Sequence, residues 1–377
     1  MSVTIADIHA AVEHWAPSGT AQSYDNVGLQ IGRSNKSVSK ALIALDLTPQ
    51  VVNEAIETRA DLVLTHHPLI FKPLSHLTDT SLVSSMALTL AEHGIALYAA
   101  HTNLDAARDG VSFELARILG LSNVEFLGGL KGSVVKLVVF VPTSHIDDVQ
   151  NAIHAAGGGQ IGTYSSCSFS HGGTGQFKPT PSSSPFLGHA AGDLVKVSEV
   201  RLEVEVARWQ LPRVLSAMID AHPYEEVAHD IIPVETEFKN AGIGAIGQLS
   251  TPTTLGAFLD RVCSVLDNPA LRYVGDPSKS IQKVAVCGGS GSDFIQLAQK
   301  NDADVYITAD VTYHRFFDVL DQEGMPDMAL IDAGHYETEK MTEDLLVRWL
   351  STQFPSVQWV KTNSRTSPVK TWTASDV

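Results

Sequence analysis

The sequence predicts an α/β fold in two similar halves, with a ferredoxin-like α+β domain inserted between them. Apolar strands alternate with amphipathic helices in residues 1–130 and again in residues 238–377, as in sheets covered on both faces. Residues 131–237 follow a different order, and the two flanks repeat one another. With 377 residues the chain is also too long for one typical core, so more than one domain is expected.

The first flank opens with MSVTIADIHAAVEHW, whose apolar spacing predicts an amphipathic helix and which lacks the basic cluster of a secretory signal. A strand ALIALD leads into a helix expected from Pro49 to Thr58, and the next apolar run continues into THHPLIF at residues 65–71. After the strand IALYAA, we expect HTNLD at residues 101–105 to be a loop leading to a helix from Ser112 to Leu119.

The middle of the chain has the order strand, helix, strand, strand, helix, strand, which is the split βαβ of a ferredoxin-like unit. These elements are expected at Val134–Val141, Ile146–Ala156, Gly162–Phe169, Val197–Ala207, Gln210–Ala221 and Ala228–Val234. Residues 157–192 are crowded with glycine, serine and proline, which is typical of turns and a long loop. Because the pattern of the flanks resumes afterwards, we predict that residues 131–237 are an inserted domain.

The two flanks match in order and spacing. In the second, VAVCGG, a helix near Phe294–Lys300 and ADVYITADVTYHRF take the places of ALIALD, its following helix and ADLVLTHHPLIF. Further on, IALYAAHTNLD matches MALIDAGHYETE, which aligns His101 with His335 and Asp105 with Glu339. We interpret this as a duplicated unit whose halves face each other across an approximate two-fold axis. Chance similarity between two α/β segments is the alternative.

Ligand-type side chains stand where the apolar strands end. The residues at these ends are Asp46, His66, His101, Asp310 and Asp332. Open α/β sheets bind ligands at the carboxyl ends of their strands. Pro68 favours an extended conformation at His67 and ends the strand, so the rings of His66 and His67 can turn toward one cleft. His335 and Glu339 are four residues apart on an expected helix and therefore share one face.

Together these residues predict a centre for two divalent metal ions. The expected ligands are His66, His67, Asp105, His335 and Glu339. Each alone has an ordinary explanation, such as a helix cap, a turn or a solvated helical face, but their joint occurrence after strands of a duplicated unit favours a metal site. Three imidazoles and two carboxylates suffice for two ions if one carboxylate bridges, and mixed nitrogen and oxygen donors suit Zn, Fe, Mn, Co or Ni.

Composition narrows the remaining function classes. The formal net charge of -16 makes nucleic-acid binding unfavourable, and no apolar run is long enough for a membrane span. The three cysteines are widely separated and form neither a disulfide framework nor a CxxC motif, so we expect a reducing cytoplasm. GGSGSD at Gly288–Asp293 fits no phosphate-loop pattern and predicts either a tight turn or a row of amides open to an anion.

Five motifs indicate a family. They are DNVGLQIG at Asp25–Gly32, LTHHPLIF at Leu64–Phe71, AAHTNLD at Ala99–Asp105, TADVTYH at Thr308–His314 and GHYETE at Gly334–Glu339. Together they resemble the NGG-one-interacting-factor-three-like family (NIF-three-like), also labelled GTP cyclohydrolase I type 2 homologues. In the insert, GTGQFKP, PFLG and HPYEE are similar to the PII- or CutA-like domain of the longer members. The resemblance implies an α/β/α sandwich in a toroidal homo-hexamer with dinuclear centres facing a cavity, and Glu339 as the best candidate bridge.

The resemblance also implies an activity, metal-dependent hydrolysis of a nucleotide or phosphoester, for which opening of the imidazole ring of GTP is the example. His101, Asp310 and His314 are then candidates for proton transfer or for orienting metal ligands. Lys72 and Arg315 are candidates for contacting phosphate, with a purely solvated role as the open alternative. The competing class is a non-enzymatic metal-handling or regulatory assembly in which the insert senses or binds a partner.

Overall fold

The computed structural model describes residues 2–236 and 238–371, so the expected domain limits at residues 1, 237 and 377 lie outside the described residues. Internal contacts divide the chain into two compact units, Met1–Gly128 with Ala241–Val377, and Gly129–Asn240. The first contains two mixed sheets covered by helices, which confirms the α/β class. Within the described ranges, no helix combines the length and the apolar character needed to cross a membrane.

The elements follow in chain order. Up to the first connection they are α1 (Ile5–Trp15), β1 (Gly28–Ile31), β2 (Lys40–Ala44), α2 (Pro49–Glu57), β3 (Leu62–Thr65), α3 (Leu82–Glu92), β4 (Ala96–Ala99), α4 (Thr102–Asp105), α5 (Val111–Ile118), β5 (Leu121–Glu125) and β6 (Gly128–Leu130). The second unit holds β7 (Val134–Pro142), α6 (Ile146–Ala155), β8 (Phe169–Phe177), β9 (Val195–Ala207), α7 (Leu211–Ala221) and β10 (His229–Pro233). The rest comprises β11 (Phe238–Ile243), β12 (Ala245–Thr254), α8 (Leu255–Leu266), β13 (Arg272–Val274), β14 (Ser280–Ser290), α9 (Ile295–Lys300), β15 (Val305–Ala309), β16 (Ala329–Asp332), α10 (His335–Glu339), α11 (Met341–Gln353) and β17 (Gln358–Lys361).

The two sheets of the first unit share a common four-strand part. Their strand orders are β1-β4-β3-β2-β17 and β13-β16-β15-β14-β12-β5, and in each the first strand is an antiparallel edge strand followed by three parallel strands. The sheets differ beyond this part, because β17 is parallel to β2 whereas β12 is antiparallel to β14. The two halves also share a hydrogen bond at equivalent positions. Asp61 before β3 accepts from the Ser39 amide at 2.9 Å, and Asp304 before β15 accepts from the Gln282 amide at 2.7 Å. The duplication inferred from the sequence is therefore present in the fold.

One hydrophobic core joins the two sheets. It includes Ile43 and Leu64 from one sheet and Ile307 and Ile331 from the other, all fully buried. Every residue of β3, β4, β15 and β16 is buried, as expected for parallel strands covered on both faces. Since both sheets pack onto this core, the carboxyl ends of their parallel strands come close together.

Local signals explain where the first helices begin. At α1, Thr4 and Asp7 form a capping box: the Thr4 hydroxyl accepts from the Asp7 amide at 3.3 Å, and the Asp7 carboxylate accepts from the Thr4 amide at 2.8 Å. At α2, the Thr48 side chain caps the Val51 amide and Pro49 occupies the first turn, where its missing N–H costs nothing. These contacts place both helices as the sequence predicts.

The second unit has the element order βαββαβ, and its antiparallel sheet runs β10-β7-β9-β8. The HPYEE residues are used inside this unit. His222 Nε2 donates to the Phe140 carbonyl at 3.1 Å, and the Tyr224 hydroxyl donates to Glu199 at 2.9 Å. Glu225 accepts from the Ser184 amide at 2.9 Å. The motif therefore ties the end of α7 and the long loop before β9 to the sheet.

Two sequence expectations about local structure are wrong. The strand expected at Gly162–Phe169 is instead Phe169–Phe177, within the stretch expected to be loop, where it pairs with β9 over nine residues. This edge strand is exposed along almost its whole length, so it needs no apolar alternation to form. The HTNLD segment is not a loop, because Thr102–Asp105 forms a one-turn helix after His101.

Candidate metal centre

Four imidazole rings meet where strands of both halves end. His66 and His67 follow β3, His101 follows β4, and His335 opens helix α10 after β16. The ring centroids of His66 and His67 are 5.0 Å apart, each lies 5.2 Å from that of His101, and His67 lies 5.4 Å from His335. The duplicated halves thus bring their histidines to one place.

The two consecutive histidines reach the same cluster although residues along a regular strand alternate between faces. The regular alternation breaks after β3, because two consecutive amides bond to the same neighbouring segment: the His66 amide donates to the Ala44 carbonyl at 3.2 Å and the His67 amide donates to the Leu45 carbonyl at 3.0 Å. Pro68 then ends this series of bonds. One nitrogen from each ring lies within 4.8 Å of one from His101.

Glu339 is the central carboxylate of the cluster and is only 2% exposed. Its Oε2 lies 3.0 Å from His67 Nε2 and 3.1 Å from His335 Nε2, while its Oε1 lies 3.8 Å from His66 Nε2. Asp105 approaches from the other half, with Oδ1 3.6 Å from His66 Nε2. All five residues expected to be ligands are therefore brought together.

These side chains form three groups whose potential ligand atoms lie within 4.8 Å of one another. The groups are His66 with His67 and His101, His67 with His335 and Glu339, and His66 with Asp105 and Glu339. Imidazole nitrogen with carboxylate oxygen is a donor set that suits several first-row divalent metals. The cluster can therefore hold a metal ion, and Glu339 is shared by two of the groups.

Each of the four rings has its Nδ1 engaged by an acceptor outside the cluster. The contacts are His66 with the Ala100 carbonyl at 2.7 Å, His67 with Asp46 at 2.7 Å, His101 with Asp25 at 2.9 Å, and His335 with Asp310 at 2.7 Å. Because Nδ1 donates in each contact, a neutral ring keeps its lone pair on Nε2. Metal-binding histidines are oriented in this way, and the arrangement holds all four rings toward the centre.

When the rings are neutral, three polar atoms at the centre are buried without a hydrogen-bond partner: His66 Nε2, Asp105 Oδ1 and Glu339 Oε2. Leaving such an atom unsatisfied costs roughly 1–3 kcal/mol, so clusters of them are rare in folded proteins. All three are acceptors when the rings are neutral and the carboxylates ionised. Divalent cations bound among these atoms would give each of them a partner, so the residues present fit a metal centre.

Electrostatics agree with this picture. Burial lowers the pKa of His67, but its hydrogen bonds with Asp46 and Glu339 outweigh that and raise it to about 10. The bond with Glu339 is the main cause that raises the pKa of His335 to about 9. Burial raises the pKa of Glu339, yet its histidine neighbours hold it well below the usual range. Without a metal, protons on His67 and His335 therefore supply the positive charge that Glu339 requires.

The three residues proposed for proton transfer have different positions. His101 is a member of one of the metal-binding groups, so it is placed as a further potential ligand and not only as a proton carrier. Asp310 accepts a hydrogen bond from His335 Nδ1 at 2.7 Å. His314 is exposed on the 3-10 helix Tyr313–Val319 and belongs to none of the groups found among the described residues. The structure therefore does not bring His314 into the cluster.

The two basic residues considered for phosphate contact lie outside the metal-binding groups. Arg315 pairs with Asp293 at 2.8 Å and with Asp318 at 3.0 Å, so its charge is already matched. Lys72 is exposed to solvent. Neither observation supports a dedicated phosphate site at these residues.

Sequence reasoning missed part of the centre. Asp25 orients His101, and its only signal in the sequence is the DNVGLQIG motif. Asp46 is among the ligand-type residues that the sequence places at strand ends, but its role in orienting His67 was not predicted. Gly289 was assigned to a turn or an anion loop, yet it lies in β14 at a φ of +61°, and a Cβ there would lie 2.1 Å from Glu339 Oε1. The backbone of Gly289 thus lies so close to the Glu339 carboxylate that a side chain at this position would collide with it.

Fold and site together define a class, an α/β protein of two similar halves with an imidazole and carboxylate cluster, able to hold metal, at their strand ends. Comparison with known families makes this specific. The chain belongs to the Duf34/NIF3 (NGG1p interacting factor 3) family, whose model matches residues 3–368. The family resemblance carried by the five motifs is confirmed.

Relatives and solved structures agree. The chain is 42% identical over 324 residues to a Halalkalibacterium halodurans protein named GTP cyclohydrolase 1 type 2 homolog, covering 86% of each chain. It is 40% identical over 343 residues to a Bacillus subtilis protein of the same name, covering 91% of each. The crystal structure of a Bacillus cereus protein related to NIF3 matches with a TM-score of 0.79 at 37% identity, over 99% of this chain and 100% of the other.

Proposed function

We propose that this chain binds two divalent metal ions with Glu339 as the shared ligand. One ion would be held by His67 and His335, the other by His66 and Asp105, with His101 beside the second. The observation that supports this is the direction of the two Glu339 oxygens. Oε2 is nearest to His67 and His335, at 3.0 and 3.1 Å, whereas Oε1 lies 3.8 Å from His66. A bridging carboxylate needs one oxygen toward each ion.

We further propose that the centre performs metal-dependent hydrolysis of a nucleotide or a related small molecule. The relatives named GTP cyclohydrolase 1 type 2 homolog support this substrate class. Two bound divalent ions supply Lewis acidity and a water of lowered pKa. The protein's own residues hold the imidazoles in one orientation. In this proposal Asp310, whose side chain is 54% exposed and contacts His335 Nδ1, exchanges a proton between the His335 side of the site and solvent.

A cavity of about 610 Å³ beside the cluster is where we place the substrate. His67, His335, Tyr336 and Asn268 are among its lining residues. This volume lies in the range of small-molecule sites, which is roughly 300–1,000 Å³. The Tyr336 ring, which carries the Arg365 guanidinium 5.1 Å from its centre, is the aromatic group next to the ligand imidazoles against which a planar heterocycle would pack.

A metal-handling role is the second candidate, and the charge of the same cavity favours it. Four of the lining side chains are carboxylates, namely Asp46, Asp310, Asp332 and Glu337. The lining guanidinium, Arg272, pairs with Asp332. Among the described lining residues, no unmatched cation is left for a triphosphate, whereas an acidic wall attracts metal ions.

Metal analysis of freshly purified protein, followed by a screen of nucleotides and phosphoesters, tests the proposal. We expect turnover that requires two ions per chain and that disappears in His335→Ala while the fold and the assembly are unchanged. Wild-type protein with two ions that hydrolyses none of these substrates, yet exchanges its metal readily with a chelator, would contradict the hydrolase proposal and support metal handling.

A further inference from the structure

The chain that follows strand β17 crosses the edge of the sheet where the metal cluster lies. Strand β17 pairs in parallel with β2, and this pairing continues as the Thr362 amide donates to the Ile43 carbonyl at 2.8 Å. Asp46 stands three residues after Ile43, two residues beyond the end of β2. Residues 362–366, here called the C-terminal strap, therefore start beside the strand that supplies one of the orienting carboxylates.

The C-terminal strap is fastened at its start to helix α2 through Glu54. The Asn363 amide and the Asn363 side-chain nitrogen both donate to Glu54 Oε1, each at 3.0 Å. The Thr362 hydroxyl donates to the other carboxylate oxygen, and the Ser364 hydroxyl lies 3.5 Å from it. One carboxylate thus fixes three consecutive residues, which defines the path of the two residues that follow.

Those two residues, Arg365 and Thr366, contact the surroundings of two expected ligands, Arg365 on the side of His335 and Thr366 on the side of His67. Arg365 donates to Glu337 at 3.0 Å, and its guanidinium lies 5.1 Å from the centre of the Tyr336 ring. Both partners belong to α10, the short helix that carries His335. The strap therefore holds the helix on which one expected ligand stands.

The contact on the other side is a buried relay. The Thr366 hydroxyl, in a residue that is 5% exposed, donates to Asp46 Oδ2 at 2.7 Å. The other oxygen of Asp46 accepts from His67 Nδ1, also at 2.7 Å. With both oxygens hydrogen-bonded, the carboxylate cannot rotate away from the imidazole. Thr366 therefore fixes the direction of His67 Nε2 indirectly, by holding Asp46.

We propose that the C-terminal strap is a positioning segment for one ion, the ion bound by His67 and His335, and that Thr366 is its critical donor. The inference rests on the two-ion centre of the proposed function. Its selectivity follows from a second relay, around His101, which shares no metal-binding group with His335 among the described residues. There a different threonine has the same role: Asp25, which orients His101, accepts from the Thr102 side chain and from the Thr102 amide at 3.1 Å. Each ion would then have its own threonine and carboxylate relay.

The test uses Thr366→Val, which keeps the shape of the buried side chain and removes its donor, and Thr366→Ser, which restores the donor. Both are compared with Thr102→Val in Co²⁺ titrations against a competing chelator, read by metal content and visible spectrum. We expect Thr366→Val to weaken one of the two ions by about tenfold, the low end for losing an outer orienting contact, and Thr366→Ser to bind as wild type does. The ion that remains should show the spectrum seen in His335→Ala, and Thr102→Val should weaken the other ion.

Unchanged binding of both ions by Thr366→Val would overturn the inference, and so would equal weakening of both, because the strap would then act on the whole fold. The wild-type titration separates this failure from that of the proposed function. Fewer than two ions in wild-type protein refutes the two-ion centre itself. Two ions in wild-type protein with no selective effect refutes only the role of the strap.

Discussion

Replacing Gly289 with alanine probes how tightly the backbone encloses the central carboxylate. A Cβ at this position would lie 2.1 Å from Glu339 Oε1 and 3.2 Å from His335 Nε2. Carbon and oxygen atoms rest at about 3.5 Å, so the carboxylate would have to move by about 1 Å or more. Because Glu339 is 2% exposed and surrounded by ligand side chains, that movement breaks its approaches to the imidazoles.

Gly289→Ala also introduces backbone strain, which a control substitution can separate from the clash with Glu339. Gly289 has a φ of +61°, and Gly94 has a nearly equal φ of +65° with nothing within 4 Å of its would-be Cβ. Alanine in the left-handed region costs roughly 1–2 kcal/mol, so both substitutions carry the same strain. Gly94→Ala is therefore a matched control that lacks only the collision with Glu339.

The assay is metal affinity by chelator competition, with thermal unfolding in parallel. We expect Gly94→Ala to bind metal as wild type does. Gly289→Ala should lose affinity by more than about 100-fold, the upper end for disturbing an outer contact, because here a shared ligand itself is displaced. If Gly289→Ala binds both ions as tightly as Gly94→Ala does, the close packing of the backbone against Glu339 is not a requirement of the site and the reasoning is refuted.

Three further predictions concern pH, modularity and assembly. Burial raises the pKa of Glu343 from 4.5 to about 7, so the contribution of this group to the stability of the folded protein falls as the pH rises between these values. In urea denaturation, Glu343→Gln should be stabilising at pH 8 by up to about 3 kcal/mol and neutral at pH 4; equal effects at both values would contradict this. Deleting residues 131–237 and joining the ends should leave a folded, metal-binding protein, and a folded product without metal would show that the insert helps to build the site. Light scattering at micromolar concentration should give a hexamer, and a monomer would exclude it.

The sequence predicts the ligands better than the contacts that orient them. His66, His67 and His335 follow apolar strands or open a helix, and four-residue spacing puts Glu339 on the same face as His335, so local patterns suffice. The pairing of His101 with Asp25 depends instead on β1 lying beside β4. The periodicity of a segment carries no information about which strand will lie beside it in the sheet. Partners such as Asp25 and His101 can therefore be identified only from the folded structure.

The same limit explains the errors in secondary structure. Strand Phe169–Phe177 contains four polar residues and three glycines, and its stability comes from pairing with β9 along its full length. A propensity argument cannot detect an element whose stabilising partner lies elsewhere in the chain. The Thr102–Asp105 turn is comparable, since the Asn103 side chain accepts from the His101 amide at 3.0 Å and supports a helix too short to have a periodic pattern.

The most direct test of the two-ion centre is the metal content of wild-type protein, Glu339→Gln and His66→Ala. Glutamine keeps nearly the same volume but removes a charge shared by both ions, so both ions should weaken together while the fold survives. His66→Ala removes a terminal ligand and should deplete mainly one ion. We predict two ions per chain in wild-type protein, with this contrast between the variants. Two tightly bound ions in Glu339→Gln would contradict the bridging assignment and point to Asp105 as the shared carboxylate.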